Sequence, residues 1–171
     1  MSSLYRTALI ALAVVAAVVV QVAVLGVVAV NGVVPNLALV VVVAVTIVRG
    51  PETGVVTAFA AGLLLDLAPP SEHLAGRWAL AFVLAALLAA RVRHDARQSA
   101  LAGLATVAAC SFVATSVFAF TGQLLGDHAL PAGQLFSVVF LALLWDVVVA
   151  PLLLPPLMVL FERHRAHELA A

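Results

Sequence analysis

Long apolar runs separated by short polar breaks set the pattern of this chain. The first run extends from Leu4 to Val30 and is interrupted only by Arg6, Thr7 and Gln21. It is too long for the apolar segment of a signal peptide, and the chain stays apolar beyond it, so a retained first helix is expected. Asn31-Gly32 then makes a turn. The second run, Pro35 to Val48, gives only about 21 Å of helix at ~1.5 Å per residue, short against a ~30 Å hydrocarbon core. Either Val33-Val34 extend it, or it is a tightly packed span in a locally thinned bilayer. Arg49-Gly50-Pro51-Glu52 closes a hairpin into a third helix, and the stiff segment Pro69-Pro70-Ser71-Glu72-His73 ends that helix. A fourth run starts at Leu74, with Arg77 and Trp78 in its first turn, where Trp78 suits an interfacial anchor. The segment Arg91 to Gln98, RVRHDARQ, reads as a loop or a helix extension in water. The fifth run carries Thr106, Cys110, Ser111, Thr115, Ser116 and Thr121, and the sixth is interrupted by Pro151, Pro155 and Pro156. The expectation is a single all-α membrane domain over residues 1–171. Its six transmembrane helices fall at about residues 4–30, 33–48, 53–68, 74–90, 99–125 and 134–161.

Composition turns this pattern into a statement about solvent. Hydrophobic residues make up 65% of the 171 and charged ones only 9%, where soluble domains carry about 25% charged. Too little polar side chain is present to cover a globule in water, so lipid solvates most of the surface. No basic stripe interleaved with aromatics occurs, and no nucleic-acid partner is expected. The single Cys110 excludes an intramolecular disulfide. All eight basic residues are arginine. With six spans both termini share one side, which then holds Arg6, Arg49, Arg91, Arg93, Arg97, Arg163 and Arg165 against Arg77 alone on the other. This bias predicts a multi-pass protein of the cell membrane with both termini cytoplasmic. Asp66, Glu72, Arg77, Asp127 and His128 then lie at the outer face.

The stretch RGPETGVVTAFAAGLLLDL, residues 49–67, holds the clearest local design. Pro51 needs no N–H donor in a first helical turn, and Glu52 sits near the positive helix end. Gly50, Gly54, Ala58 and Gly62 recur at four-residue steps, with Asp66 as the next step. Such a small-residue ridge lets a second helix, from within the bundle or from a partner, approach backbone to backbone. A carboxylate at a helix C-terminus opposes the dipole by ~0.3–1 kcal/mol, so Asp66 is read either as an interfacial residue capped by water or paired with Arg77, or as a group with a role in packing or partner docking.

Asp146 lies about 18 Å into the sixth run, near mid-membrane, where a charged acid costs about 2.5–3.5 kcal/mol. It is either a functional acid or a protonated group bonded to a neighbouring helix. Its candidate partners are the hydroxyls of the fifth helix or Gln21. The three prolines of the sixth run are expected to bend that helix. His73 and His128 match no metal-ligand spacing. No Ser/His/Asp arrangement, phosphate loop or HExxH motif occurs, so neither catalysis nor a cofactor or metal is expected.

Pro35-Asn36-Leu37 opening a short span, the charged Gly50-Pro51 turn, and Gly62-Leu63-Leu64-Leu65-Asp66-Leu67 closing a glycine-spaced helix together resemble the MreD family of rod shape-determining membrane proteins. The motif match covers about a third of the chain; length, hydropathy and the proline-rich last helix are similar beyond it. The resemblance implies a scaffold of the cell-wall elongation machinery. It implies association with the bitopic protein MreC and, through it, with MreB filaments, RodA and a penicillin-binding protein. It also implies a fold like that of the S components of energy-coupling-factor transporters. The competing class is a small-solute-binding transporter subunit with a site at the outer loops. Against it stands the scarcity of aromatic residues there.

Overall fold

A computed structural model describes residues 3–30, 32–69, 74–126 and 132–166. It contains α1 (Ser3–Val19), a π-helical turn (Val20–Val24) and a short 3-10 turn (Leu25–Val28), followed by α2 (Leu37–Arg49) and α3 (Pro51–Leu67). After these come α4 (Arg77–Gln98), α5 (Ala100–Leu124) and α6 (Ala132–Ala166). No strand occurs among the described residues, and the fold is an all-α membrane bundle. Leu4–Val27, Ala100–Leu124 and Gly133–Glu162 are each long and apolar enough to cross a membrane. Glu72, His73, Asp127, His128 and Asn31 fall outside the described residues.

The bundle is built around α2. Every residue from Leu37 to Val48 is buried, and α2 touches all five other α-helices. A helix that is apolar on every side belongs in a core, and a length of 10–14 apolar residues suits a core helix better than a lipid-facing span. Because protein surrounds it, α2 need not match the bilayer thickness. Its sequence, LALVVVVAVTIV, is rich in β-branched residues that favour strands in water. In an apolar interior the helix prevails, since it satisfies each backbone group within its own segment. Val33-Val34 do not extend it. Val33 instead exchanges two backbone hydrogen bonds with Val30, of 3.1 and 2.9 Å, across a turn in which Gly32 has φ +76°.

Other boundaries differ from the hydropathy reading for identifiable reasons. RVRHDARQ completes α4, with Arg97 in its last turn, where a cation suits the negative helix end. A single residue, Ser99, separates α4 from α5; its hydroxyl oxygen accepts from the Ala102 amide at 3.4 Å. The prolines of α6 do not end that helix. Trp78 is only half-exposed: it stacks on Phe118 of α5 at 4.2 Å between centroids and meets Phe82 edge-on at 5.6 Å. Arg77 is likewise buried, donating to the Phe118 carbonyl at 2.8 Å with its guanidinium 4.0 Å from the Phe118 ring centroid.

Truncation should separate core from lipid-facing positions. Leu39→Ala, at a fully buried site, should cost about 2 kcal/mol. That is the low end of the range for Leu→Ala, because lipid solvates apolar groups and leaves mainly the cavity cost. Leu152→Ala, at a site 73% exposed, should be close to neutral. Thermal unfolding of the two variants in one detergent checks the contrast.

Candidate functional site

The first four N–H groups of any helix lack partners within it. Those of α2 start at Leu37, about 20 Å of helix from the arginine-bearing end at Arg49. Three side chains from three parts of the chain converge there. Asp146 of α6 accepts from the Asn36 amide through Oδ1 at 2.6 Å. Asn36, the N-cap residue, accepts from the Leu39 amide at 3.2 Å. Gln21 accepts from the Ala38 amide at 3.2 Å; it is the buried residue of the π-helical turn, whose wider winding changes which side chain faces the bundle. The second oxygen of Asp146 accepts from Ser111 Oγ of α5 at 2.6 Å. The fifth-helix hydroxyl is thus a partner of Asp146, while Gln21 shares the site without bonding to the acid. Asp146, Gln21, Asn36 and Ser111 are all buried. A carboxylate at the positive end of α2 gains from both the dipole and charge-assisted hydrogen bonds.

Asp66 repeats the device on a second helix. It is 2% exposed and accepts from the backbone amides of Gly76 at 2.8 Å, Trp78 at 3.0 Å and Ala79 at 3.2 Å. It therefore caps α4, whose own N-cap residue is Gly76, in the left-handed region at φ +102° and without a side chain to do so. The position that opposes the α3 dipole favours the α4 dipole, and three hydrogen bonds settle the balance. Water does not need to solvate this acid.

The small-residue ridge lies between these helices. Gly50, at φ +102°, joins α2 to α3, and its amide closes α2 on the Thr46 carbonyl at 3.0 Å. Pro51 and Glu52 follow in the first turn of α3, both exposed. A Cβ on Gly54 would stand 2.3 Å from Thr46 Oγ1 of α2, and one on Gly62 would stand 2.5 Å from Ala79 Cα, Ala79 N and the Trp78 carbonyl oxygen of α4. Ala58 between them is fully buried. The ridge thus seats α3 against α2 and α4.

Most other polar groups in the bundle are bound to their own helices. Thr46, Thr57, Thr106 and Thr121 donate to carbonyls three or four residues earlier, at 2.7–3.0 Å, and Thr115 does so to Ser111. Cys110 Sγ meets the Ala85 carbonyl at 3.3 Å. Cys110 and Ser111 of α5, by contrast, reach other helices, α4 and α6. Sequence reading took Asn36 only as part of the Pro35-Asn36-Leu37 motif and not as a cap, although an Asn just before an apolar run is a helix-start signal. It also passed over Gly122, where a Cβ would stand 2.2 Å from an Arg77 nitrogen.

Removing the acceptor at the α2 start should be costly. Asp146→Leu strands the Asn36 amide and Ser111 in an apolar interior and should destabilise by about 2–4 kcal/mol; Asp146→Asn keeps an acceptor and should lose distinctly less. Gly62→Ala, pressed against backbone, should be worse than Gly54→Ala, whose clash is with a side chain. Gly26→Ala, with nothing within 4 Å, should be tolerated. Detergent thermal unfolding ranks all five.

No curated protein and no solved structure matches the chain. A family model described as rod shape-determining protein MreD matches residues 1–164. With nearly the whole length matched, the chain belongs to the MreD family and has a role in rod shape determination.

Proposed function

We propose that this chain is a non-catalytic scaffold of the cell-wall elongation machinery. In this reading it crosses the bacterial cell membrane six times with both termini in the cytoplasm. It holds a bitopic MreC-like protein and, through it, MreB, RodA and a penicillin-binding protein. The observation that carries the reading is the use of the polar interior. Asp146, Asn36, Gln21, Ser111 and Asp66 are engaged in closing helix ends, so what this protein offers a partner is its intramembrane surface. The orientation is supported by the meeting of Arg49, Arg93 and Arg97 at one end of the bundle. A Cβ on Gly50 would stand 2.9 Å from an Arg93 nitrogen, and Arg97 pairs with Glu162.

The ridge face of α3 is covered by α2 and α4, so a partner helix on α3 meets the opposite face, where Val56 and Phe59 are 70% and 54% exposed. Photo-crosslinkers at these two positions in the native host, followed by mild-detergent purification and mass spectrometry, should capture a single-span MreC-like protein. Crosslinkers at Ala58 and Ala61 should capture none. Recovery of ATPase subunits or of a bound small solute in place of the single-span protein rejects the scaffold in favour of a transporter subunit.

A further inference from the structure

The end of the bundle that carries Arg97 also carries a groove, unrelated to the caps and the ridge. It has a volume of about 570 Å³ and lies between the α4–α5 junction and the second half of α6. Its walls are apolar, formed by residues such as Leu104, Leu154, Pro155 and Met158. Pro151 and Pro155 line its α6 side, and Gly103 seats α5 against Leu154, where a Cβ would stand 3.2 Å from Leu154 Cδ2. From Glu162 down to Ala150 the groove follows about 18 Å of helix, more than half of a ~30 Å hydrocarbon core, the depth of one leaflet. Such a slot fits one acyl chain.

The mouth is charged, with both signs present. Arg97 and Glu162 face each other across it at 2.7 Å, with side chains 32% and 41% exposed. An ion pair this exposed contributes little, so opening it costs little. Ser99 and the start of α5 line the same mouth, and a helix N-terminus favours phosphate. We propose that this groove binds a phospholipid whose headgroup carries both a phosphate and a primary ammonium, a phosphoethanolamine lipid. The phosphate replaces Glu162 on the Arg97 guanidinium, in a charge-assisted pair. The ammonium takes Glu162, and one acyl chain fills the slot along Pro151, Leu154 and Met158. Paired opposite charges at the mouth select this head. A phosphoglycerol head has no cation for Glu162 and is repelled by it. A phosphocholine head has no N–H to donate to the carboxylate.

The test is native mass spectrometry of the full chain, delipidated in detergent and titrated with phosphatidylethanolamine, phosphatidylcholine or phosphatidylglycerol of identical acyl chains. The unaltered protein should retain the ethanolamine lipid about tenfold more tightly than either of the others. Glu162→Gln should bring ethanolamine and glycerol lipids to near parity. Val159→Trp, at an exposed groove position, should fill the slot and weaken all three. Equal retention of the three lipids by the unaltered protein, a preference for phosphatidylglycerol, or an ethanolamine preference that survives Glu162→Gln overturns the proposal. The lipid comparison on the unaltered chain decides the matter by itself if either variant fails to fold.

Discussion

A helix that begins inside hydrocarbon has amide protons with nowhere to go. Water supplies their partners in a soluble protein; here nothing does unless the fold provides it. That constraint governs the positions of the least expected residues in this bundle. The start of α2 lies within the packed interior and is closed by Asp146, Asn36 and Gln21. The start of α4 follows a glycine that cannot cap it, and Asp66 closes it from α3. Each acid faces a positive helix end, so the cost of burying a carboxylate and the cost of burying unpaired amides offset one another.

The second constraint is the central position of α2. A helix surrounded by protein on every side is released from the length that lipid imposes, and the five helices around it meet lipid instead. Their outer faces carry Leu12, Phe112, Phe136, Phe140 and Leu152, all exposed, as lipid-facing residues should be. Close approach to this core requires small residues at the crossings, and Gly54 and Gly62 supply them on α3. Gly122 makes room in the same way for the Arg77 guanidinium between α4 and α5.

The fold class was legible because hydropathy is a bulk property, and six apolar runs correspond to six helices. The bond of Asp146 to a fifth-helix hydroxyl was legible because residue type limits the partners available to a buried acid. The purpose of the two acids was not legible, because a backbone amide leaves no mark in the side-chain pattern. Two signals pointed towards it. Asp66 sits at the wrong end of its own helix, which asks for a second helix whose start it could serve. Asn36 stands directly before an apolar run too short to span a bilayer, which marks the start of a core helix. Arg77 and Trp78 were legible only in part. Their types suggest a membrane interface, whereas Phe118 and Gly122, 41 and 45 residues further on, draw them between two helices.

The bond from Asp146 to the Asn36 amide joins residues separated by 110 positions in sequence. Its consequence concerns the order of assembly. When α2 enters the membrane, Asn36 and Gln21 can already engage its leading turn, but the carboxylate that completes the closure belongs to α6, which is made after α3, α4 and α5. The central element of the bundle therefore stays unfinished at its buried end until α6 arrives. The same side chain that ends this wait fastens α6 to the start of α2, so the docking of α6 and the completion of the core are one event.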